Sequence, residues 1–289
     1  MTHLRLRNSV LDLMISPSHG GGIISFEAFG EPVLKPAPDP ISRLTDPSAF
    51  VLLPYCNRIA HGGAKFGNQT IQLTPTLPGE THALHGEGWI AGWTVEKQSD
   101  TATVLSFRHS PTTGRWPWAF EASQRYELID GGMVHTVQIQ NVSEKPMPVG
   151  LGFHPYFPRK SGDQFIAQVG GRWNVSTDLL PTDHERGGSE DYWPERQLPV
   201  DVSLDNCFTE WDGKLLIERE NMCVSLTASD ELGLLHVYAP IGADFFCAEP
   251  VSHMPDALNR LGEPDQMQVL QPGETFKASI RYLVEKSAR

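Results

Sequence analysis

The sequence predicts an all-β protein, a large antiparallel β-sandwich with few short helices. Three observations lead there. Many segments alternate apolar and polar residues with a period of two, the pattern of half-buried strands. Turn-forming clusters separate them at short intervals. The 26 glycines and 23 prolines leave few uninterrupted windows long enough for a helix.

In chain order, "TATVLSFRHS" and "FEASQRYELI" read as strands on either side of the turn "SPTTG" at 110–114. After "DGG" at 130–132, "MVHTVQIQN" sets Met133, His135, Val137 and Ile139 against Thr136, Gln138 and Gln140. "MCVSLTAS" and "LLHVYAP" flank "SDELG" at 229–233. Beyond "QPGE" at 271–274, "FKASIRYLVE" sets Phe276, Ala278, Ile280, Tyr282 and Val284 against Lys277, Ser279 and Arg281. The best helix candidate is "SAFVLLPYCN", limited by Pro54. The stretch 182–200, "TDHERGGSEDYWPERQLPV", reads as a long polar loop. No linker or charge run divides the chain, so residues 1–289 are expected to form a single domain.

At 289 residues, 39% hydrophobic and 20% charged, the chain can bury a core without a disulfide or metal staple. Its net charge of −12 would repel a phosphate backbone or an anionic bilayer. Nucleic-acid and membrane partners are therefore not expected, and a neutral small molecule fits better. Cys56, Cys207, Cys223 and Cys247 form no CxxC pair and read as isolated, reduced thiols. Asp12 breaks the one short apolar run near the start, and no run of 18 apolar residues exists. The expectation is a cytoplasmic protein, monomer or homodimer.

Five patches place polar groups in Gly-, Pro- and aromatic-rich surroundings. In "PYCNRIAHGGAKFGNQTIQL", Arg58 precedes a turn where Gly62, Gly63 and Gly67 permit a tight hairpin. Arg58 suits a ligand or a structural ion pair. In "THALHGEGWIAGWTV", His82 and His85 have HxxH spacing, but a glycine-rich loop is a poor frame for a metal. Trp89 and Trp93 suit the apolar face of a sugar or, equally, the core. In "GLGFHPYFPR", Pro155 biases His154 toward extended backbone. His154 and Tyr156 then share one strand face, with Phe153 and Phe157 on the other. In "SLDNCFTEWDG", Asp205 is a turn former or a ligand group. In "ADFFCAEPVSHMPDALN", Glu249 ends an apolar run that reads as a buried strand. Poor solvation there would raise its pKa and suit a general base.

Taken in order, "NRI", "LHG" with a downstream Trp, "HPYF", Asp205 before Phe208 and "EPVSHMPDA" resemble the aldose 1-epimerase (galactose mutarotase-like) family over residues 5–285. "GRWPWAFEASQRYEL" is similar to the family's segment before its central strands. The resemblance implies a galactose mutarotase-like supersandwich that interconverts the α and β anomers of a free hexose such as galactose or glucose. It implies Glu249 as general base, His154 as the acid at the ring oxygen and His85 as a second histidine near that oxygen. Arg58 and Asp205 would bind sugar hydroxyls, with Trp89 and Tyr156 as aromatic contacts. No metal and no cofactor are implied.

Pro155 stands where galactose mutarotases commonly carry Thr, a version that resembles hexose-6-phosphate epimerases. Arg58, Lys65 and Arg108 are the sequence's candidates for a phosphate. Other rivals are a non-catalytic sugar-binding protein on the same fold, a glycoside hydrolase using Asp205 with Glu249, and a metal enzyme using His82, His85 and His154.

Overall fold

Residues 3–260 and 265–287 are described by a computed structural model. Two large antiparallel sheets dominate it. The 8-stranded sheet runs Thr94–Gln98, Ala102–His109, Phe120–Ile129, Gly132–Asn141, Thr275–Lys286, Met222–Ala228, Lys214–Glu218, Gln164–Ala167. Its long strands bury every second residue, as the sequence alternation predicts. The 11-stranded sheet has at its centre Ala49–Leu52, Gly152–Pro158, Phe245–Val251, Leu234–Ala239 and Leu204–Thr209.

Aromatic rings bridge the two sheets. Phe26 and Tyr282 lie 5.8 Å apart, His135 and Phe153 4.8 Å, and Phe165 and Phe246 5.6 Å. The Tyr126 hydroxyl donates to the Gly21 carbonyl. One continuous apolar core fills the space between them, the expected solution for two sheets with one apolar face each. Among the described residues, helix is confined to Ser189–Tyr192 and short 3-10 turns. Among the described residues no helix is long and apolar enough to cross a membrane.

The five central strands of the larger sheet depart from simple alternation. Phe245–Val251 is buried at six of its seven positions, and Ala49–Leu52 at all four. Both faces of these strands are covered, so they read as continuous apolar runs. One face meets the sandwich core; the other meets a second apolar cluster that includes Phe50, Leu52, Cys56, Trp89, Trp173, Leu234 and Val251.

Two sequence expectations are corrected. The helix expected in "SAFVLLPYCN" is the strand Ala49–Leu52, paired with Gly152–Pro158. A short apolar run cannot distinguish a buried strand from a helix by periodicity, and here pairing to a central strand decides. The expected loop 182–200 begins inside the edge strand Pro181–Arg186 and also holds the helix Ser189–Tyr192 and the 3-10 turn Pro194–Arg196. Five of the six residues of that edge strand are exposed; an edge strand facing water on both sides carries no alternation to read. The Gly67 turn is as expected, joining Gly63–Phe66 to Gln69–Gln72 with Gly67 at φ 55°.

Candidate active site

Register assembles the site. Phe50 lies opposite His154, His236 opposite Glu249, and Cys207 opposite His236. The pairs Gly152 with Val251 and Tyr156 with Cys247 set His154 beside Glu249. Phe50, His154, Glu249, His236 and Cys207 thus form one row across five strands, on the face turned away from the sandwich core. Directly paired residues share a face and bring their side chains within reach. The neighbouring row holds Tyr156, Cys247, Tyr238 and Asp205.

His154 Nε2 stands 3.2 Å from Glu249 Oε1. Both residues are buried, Glu249 to 2% exposure. Among the described residues, Glu249 Oε2 and His154 Nδ1 meet no hydrogen-bond partner. Burial, reinforced by the charge of Asp205, raises the Glu249 pKa well above the usual carboxylate range. Burial and the neighbouring His236 lower His154 to about 3. The low-dielectric site therefore disfavours charge on either group alone, and the pair is best described as holding one proton between its members.

Aromatic packing fixes the His154 ring. Trp89, Phe50, His154 and Tyr156 stack in a column with successive centroids 5.2, 4.6 and 4.9 Å apart. His85 meets His154 edge-on at 5.3 Å. The Asn57 amide N–H donates to His85 Nδ1 at 3.1 Å. Burial, with His154, Arg58 and His236 nearby, holds the His85 pKa well below its ordinary value. His85 is thus neutral, and because Nδ1 accepts, its proton resides on Nε2. Both Asn57 and His85 have positive φ, at 56° and 59°, a sparsely populated conformation outside glycine that recurs at functional sites.

Asp205 connects the sugar-binding candidates. His236 Nε2 donates to its Oδ1 at 2.7 Å, and Arg58 Nη2 lies 3.4 Å from its Oδ2. Burial pushes the Asp205 pKa up, but His236 and Arg58 outweigh it and leave it lowered. Asp205 lies within the strand Leu204–Thr209, so the turn reading of that residue is corrected.

The distant motif pieces are fastened together. The Cys56 amide donates to His253 Nε2 at 2.9 Å, while His253 Nδ1 donates to the Met254 carbonyl. The Asp256 amide donates to the Arg58 carbonyl, and its carboxylate accepts the Ala60 amide. "SHMPDA" thereby clamps the loop carrying Asn57 and Arg58. His253 packs on Gly150, where a Cβ would come within 2.0 Å of its ring.

Of the sequence candidates, His154, Glu249, His85, Arg58, Asp205 and Tyr156 meet on this face. Trp89 is close but differently placed. It is 1% exposed, donates its indole N–H to the Gly86 carbonyl and stacks on Phe50, so it backs the site wall and offers no open ring face for a sugar. His82 turns away: its Nδ1 accepts the His61 amide and its Nε2 faces Asp178 at 3.5 Å. The suggested His82–His85–His154 metal set is therefore not assembled. Among the described residues, the metal-ligand atoms that cluster are those of His154, Cys247 and Glu249. Arg108 pairs with Glu121 on the 8-stranded sheet, and Lys65 is exposed on a hairpin strand; neither approaches the site as a phosphate ligand.

Sequence reasoning missed His236 and Phe50. His236 had a readable signal, a histidine between core residues Leu235 and Val237 in a strand, the same pattern as His154. Phe50 was hidden by the helix assignment of its segment.

Residues 3–283 match the family model described as aldose 1-epimerase. The uncharacterised protein YphB of Escherichia coli K12 is 28% identical, with 99% of each chain covered. A crystal structure of a provisionally named aldose 1-epimerase from Escherichia coli K12 superposes with TM-score 0.88 at 27% identity, covering 99% of each chain. A galactose mutarotase-like protein from Clostridium acetobutylicum superposes with TM-score 0.85 at 20% identity, over 98% of this chain and 95% of its own.

Proposed function

The chain belongs to the aldose 1-epimerase family, and from that premise we propose that it interconverts the α and β anomers of a free hexose such as galactose or glucose. One observation carries the proposal: the buried His154 and Glu249, side by side in register with Nε2 and Oε1 3.2 Å apart. Anomerisation must take a proton from the C1 hydroxyl and give one to the ring oxygen. Those two oxygens hang on the same carbon, so an acid and a base are needed close together.

With Glu249 as carboxylate and His154 as imidazolium, Glu249 accepts the O1 proton while His154 donates to the ring oxygen. The C1–O5 bond breaks and the aldehyde C=O forms. The pair is left as carboxylic acid and neutral imidazole, with the same net charge. Rotation about C1–C2 and the reverse transfers close the ring on the other face. Burial favours this economy, because both forms of the pair are neutral overall and neither requires an isolated buried charge. His85 Nε2–H supplies a hydrogen bond near the ring oxygen. Arg58 and Asp205 hold hydroxyls while the aldehyde turns, and the ring of Tyr156 is an aromatic contact beside His154. No step requires a metal or a redox cofactor.

Polarimetry of freshly dissolved α-D-galactose and α-D-glucose tests this. Acceleration over the buffer rate supports a mutarotase. Binding of either sugar with no acceleration would instead identify a sugar-binding protein.

A further inference from the structure

We propose that the catalytic face is also a binding site for a thiophilic divalent cation, Zn²⁺, held by His154, Cys247 and Glu249, and that the bound ion inhibits the enzyme. Binding of the ion stands on the geometry of these three residues. Its effect on turnover rests on the mutarotase reading.

Register supplies the ligand set. Cys247 and Glu249 are two residues apart on the strand Phe245–Val251 and share a face. Tyr156 lies opposite Cys247, which sets His154 diagonally beside the thiol as well as next to Glu249. One nitrogen, the sulfur and one carboxylate oxygen of the three residues lie within 4.8 Å of one another. His154 Nε2 and Glu249 Oε1 are already 3.2 Å apart. Two ligands of a tetrahedral zinc ion, at bond lengths of ~2.0–2.3 Å, sit ~3.3–3.6 Å from each other. Closing the set takes a side-chain movement of about 1 Å. Among the described residues, no other three His, Cys, Asp or Glu side chains gather their ligand atoms in this way.

The acid–base reading employs His154 and Glu249 and gives Cys247 no task. The thiol is 0% exposed, with Tyr156 and Tyr238 opposite it on the two neighbouring strands. Glu249 Oε2 is likewise buried and meets no hydrogen-bond partner among the described residues.

The electrostatics favour a cation. Burial, then the charges of Glu249 and Asp205, pushes the Cys247 thiol well above its ordinary range. Burial and Asp205 do the same to Glu249. Each acid therefore resists ionising while the other is charged. A dication resolves the conflict by binding thiolate and carboxylate together. The thiol proton and the proton shared by the pair pass to solvent, and His154 stays neutral. Two anionic ligands cancel the charge of the ion, so the buried complex is neutral overall. The opposing cations are already engaged, Arg58 with Asp205 at 3.4 Å and Lys35 with Asp244 at 3.9 Å.

The donor atoms select the metal. Thiolate and imidazole suit zinc, whereas Mg²⁺ and Ca²⁺ take oxygen shells. Three protein ligands leave the fourth position to water. With their lone pairs on the ion, Glu249 cannot accept the O1 proton and His154 cannot pass one to the ring oxygen. Zinc therefore competes with the sugar.

The test titrates Co²⁺, which takes the zinc geometry, into the metal-free, reduced protein. A thiolate-to-cobalt charge-transfer absorption is expected. Cys247→Ala should abolish it, and Cys56→Ala and Cys207→Ala should retain it. Zn²⁺ should displace the cobalt and inhibit anomerisation competitively, EDTA should restore the rate, and Mg²⁺ and Ca²⁺ should do nothing. Losing a ligand should cost at least what losing its outer partner does, so zinc affinity, measured against a chromophoric chelator, should fall roughly 10- to 100-fold in Cys247→Ala and in Glu249→Gln. The glutamine keeps the shape of the acid and remains informative if the thiol variant folds poorly. Absence of the absorption, its persistence in Cys247→Ala, or bound zinc that accelerates turnover or leaves it unchanged overturns the proposal. If neither sugar is turned over, the mutarotase reading fails by itself, and the cobalt and chelator titrations still decide the metal site.

Discussion

Replacing Glu249 by glutamine isolates the proposed proton transfer from the fold. The amide has the shape of the acid, so no cavity opens at this 2%-exposed position. It is also neutral, so no buried charge is created. Unfolding should therefore shift by only a few degrees. The rate should not survive. Positioned general acid–base catalysis contributes roughly 10²- to 10⁴-fold, or about 3–5 kcal/mol at ~1.36 kcal/mol per decade. The variant removes the proton that the pair shares across 3.2 Å, so both transfers fail together. Glu249→Gln with His154→Gln should then cost little more than either change alone. The assay is polarimetry of fresh α-D-galactose and α-D-glucose with the buffer rate subtracted, beside a thermal melt. The wild-type profile should fall on the alkaline side as the raised Glu249 gives up the shared proton, and on the acid side as His154, lowered to about 3, takes a second. A folded Glu249→Gln protein within about 3-fold of wild type would refute the assignment. So would strictly additive losses in the double variant.

Three further outcomes follow from the geometry. His236→Ala removes the 2.7 Å hydrogen bond to Asp205 and should raise KM roughly 10-fold with a smaller change in kcat; an unchanged KM would remove Asp205 from hydroxyl binding. Arg108→Ala and Lys65→Ala should leave hexose rates unchanged, and inorganic phosphate to high millimolar should not inhibit; loss of rate in either variant would reopen the phosphate reading of those residues. Stability should fall in mild acid, since burial lowers His135 to about 3, His253 to about 4 and His85 well below its ordinary value. Below about pH 6.5 the unfolded chain binds protons that these folded groups refuse, so stability is lost as pH falls, at up to ~4 kcal/mol per pH unit for three groups. Urea midpoints at pH 7.5, 6 and 5 measure this; a flat series, or an unchanged slope in His135→Gln, would contradict it.

Much of the architecture was legible in the sequence because the 8-stranded sheet has one wet face. Strands such as Phe120–Ile129 and Thr275–Lys286 must alternate, and the alternation is written in the residues. The ordered motifs from "NRI" to "EPVSHMPDA" identified the family and named the segments that reach the site, and the solvation argument for Glu249 needed only its place in "FFCAEP". The tertiary structure decided what depends on pairing. Ala49–Leu52 is a strand because Gly152–Pro158 lies beside it, information no short apolar window contains. His236 enters the candidate site because register sets it opposite Glu249, and Trp89 is withdrawn behind the site wall because Phe50 covers it. Local sequence sets which side of a strand is apolar; only long-range register sets which side chains face each other across it, and acid–base chemistry depends on that second fact.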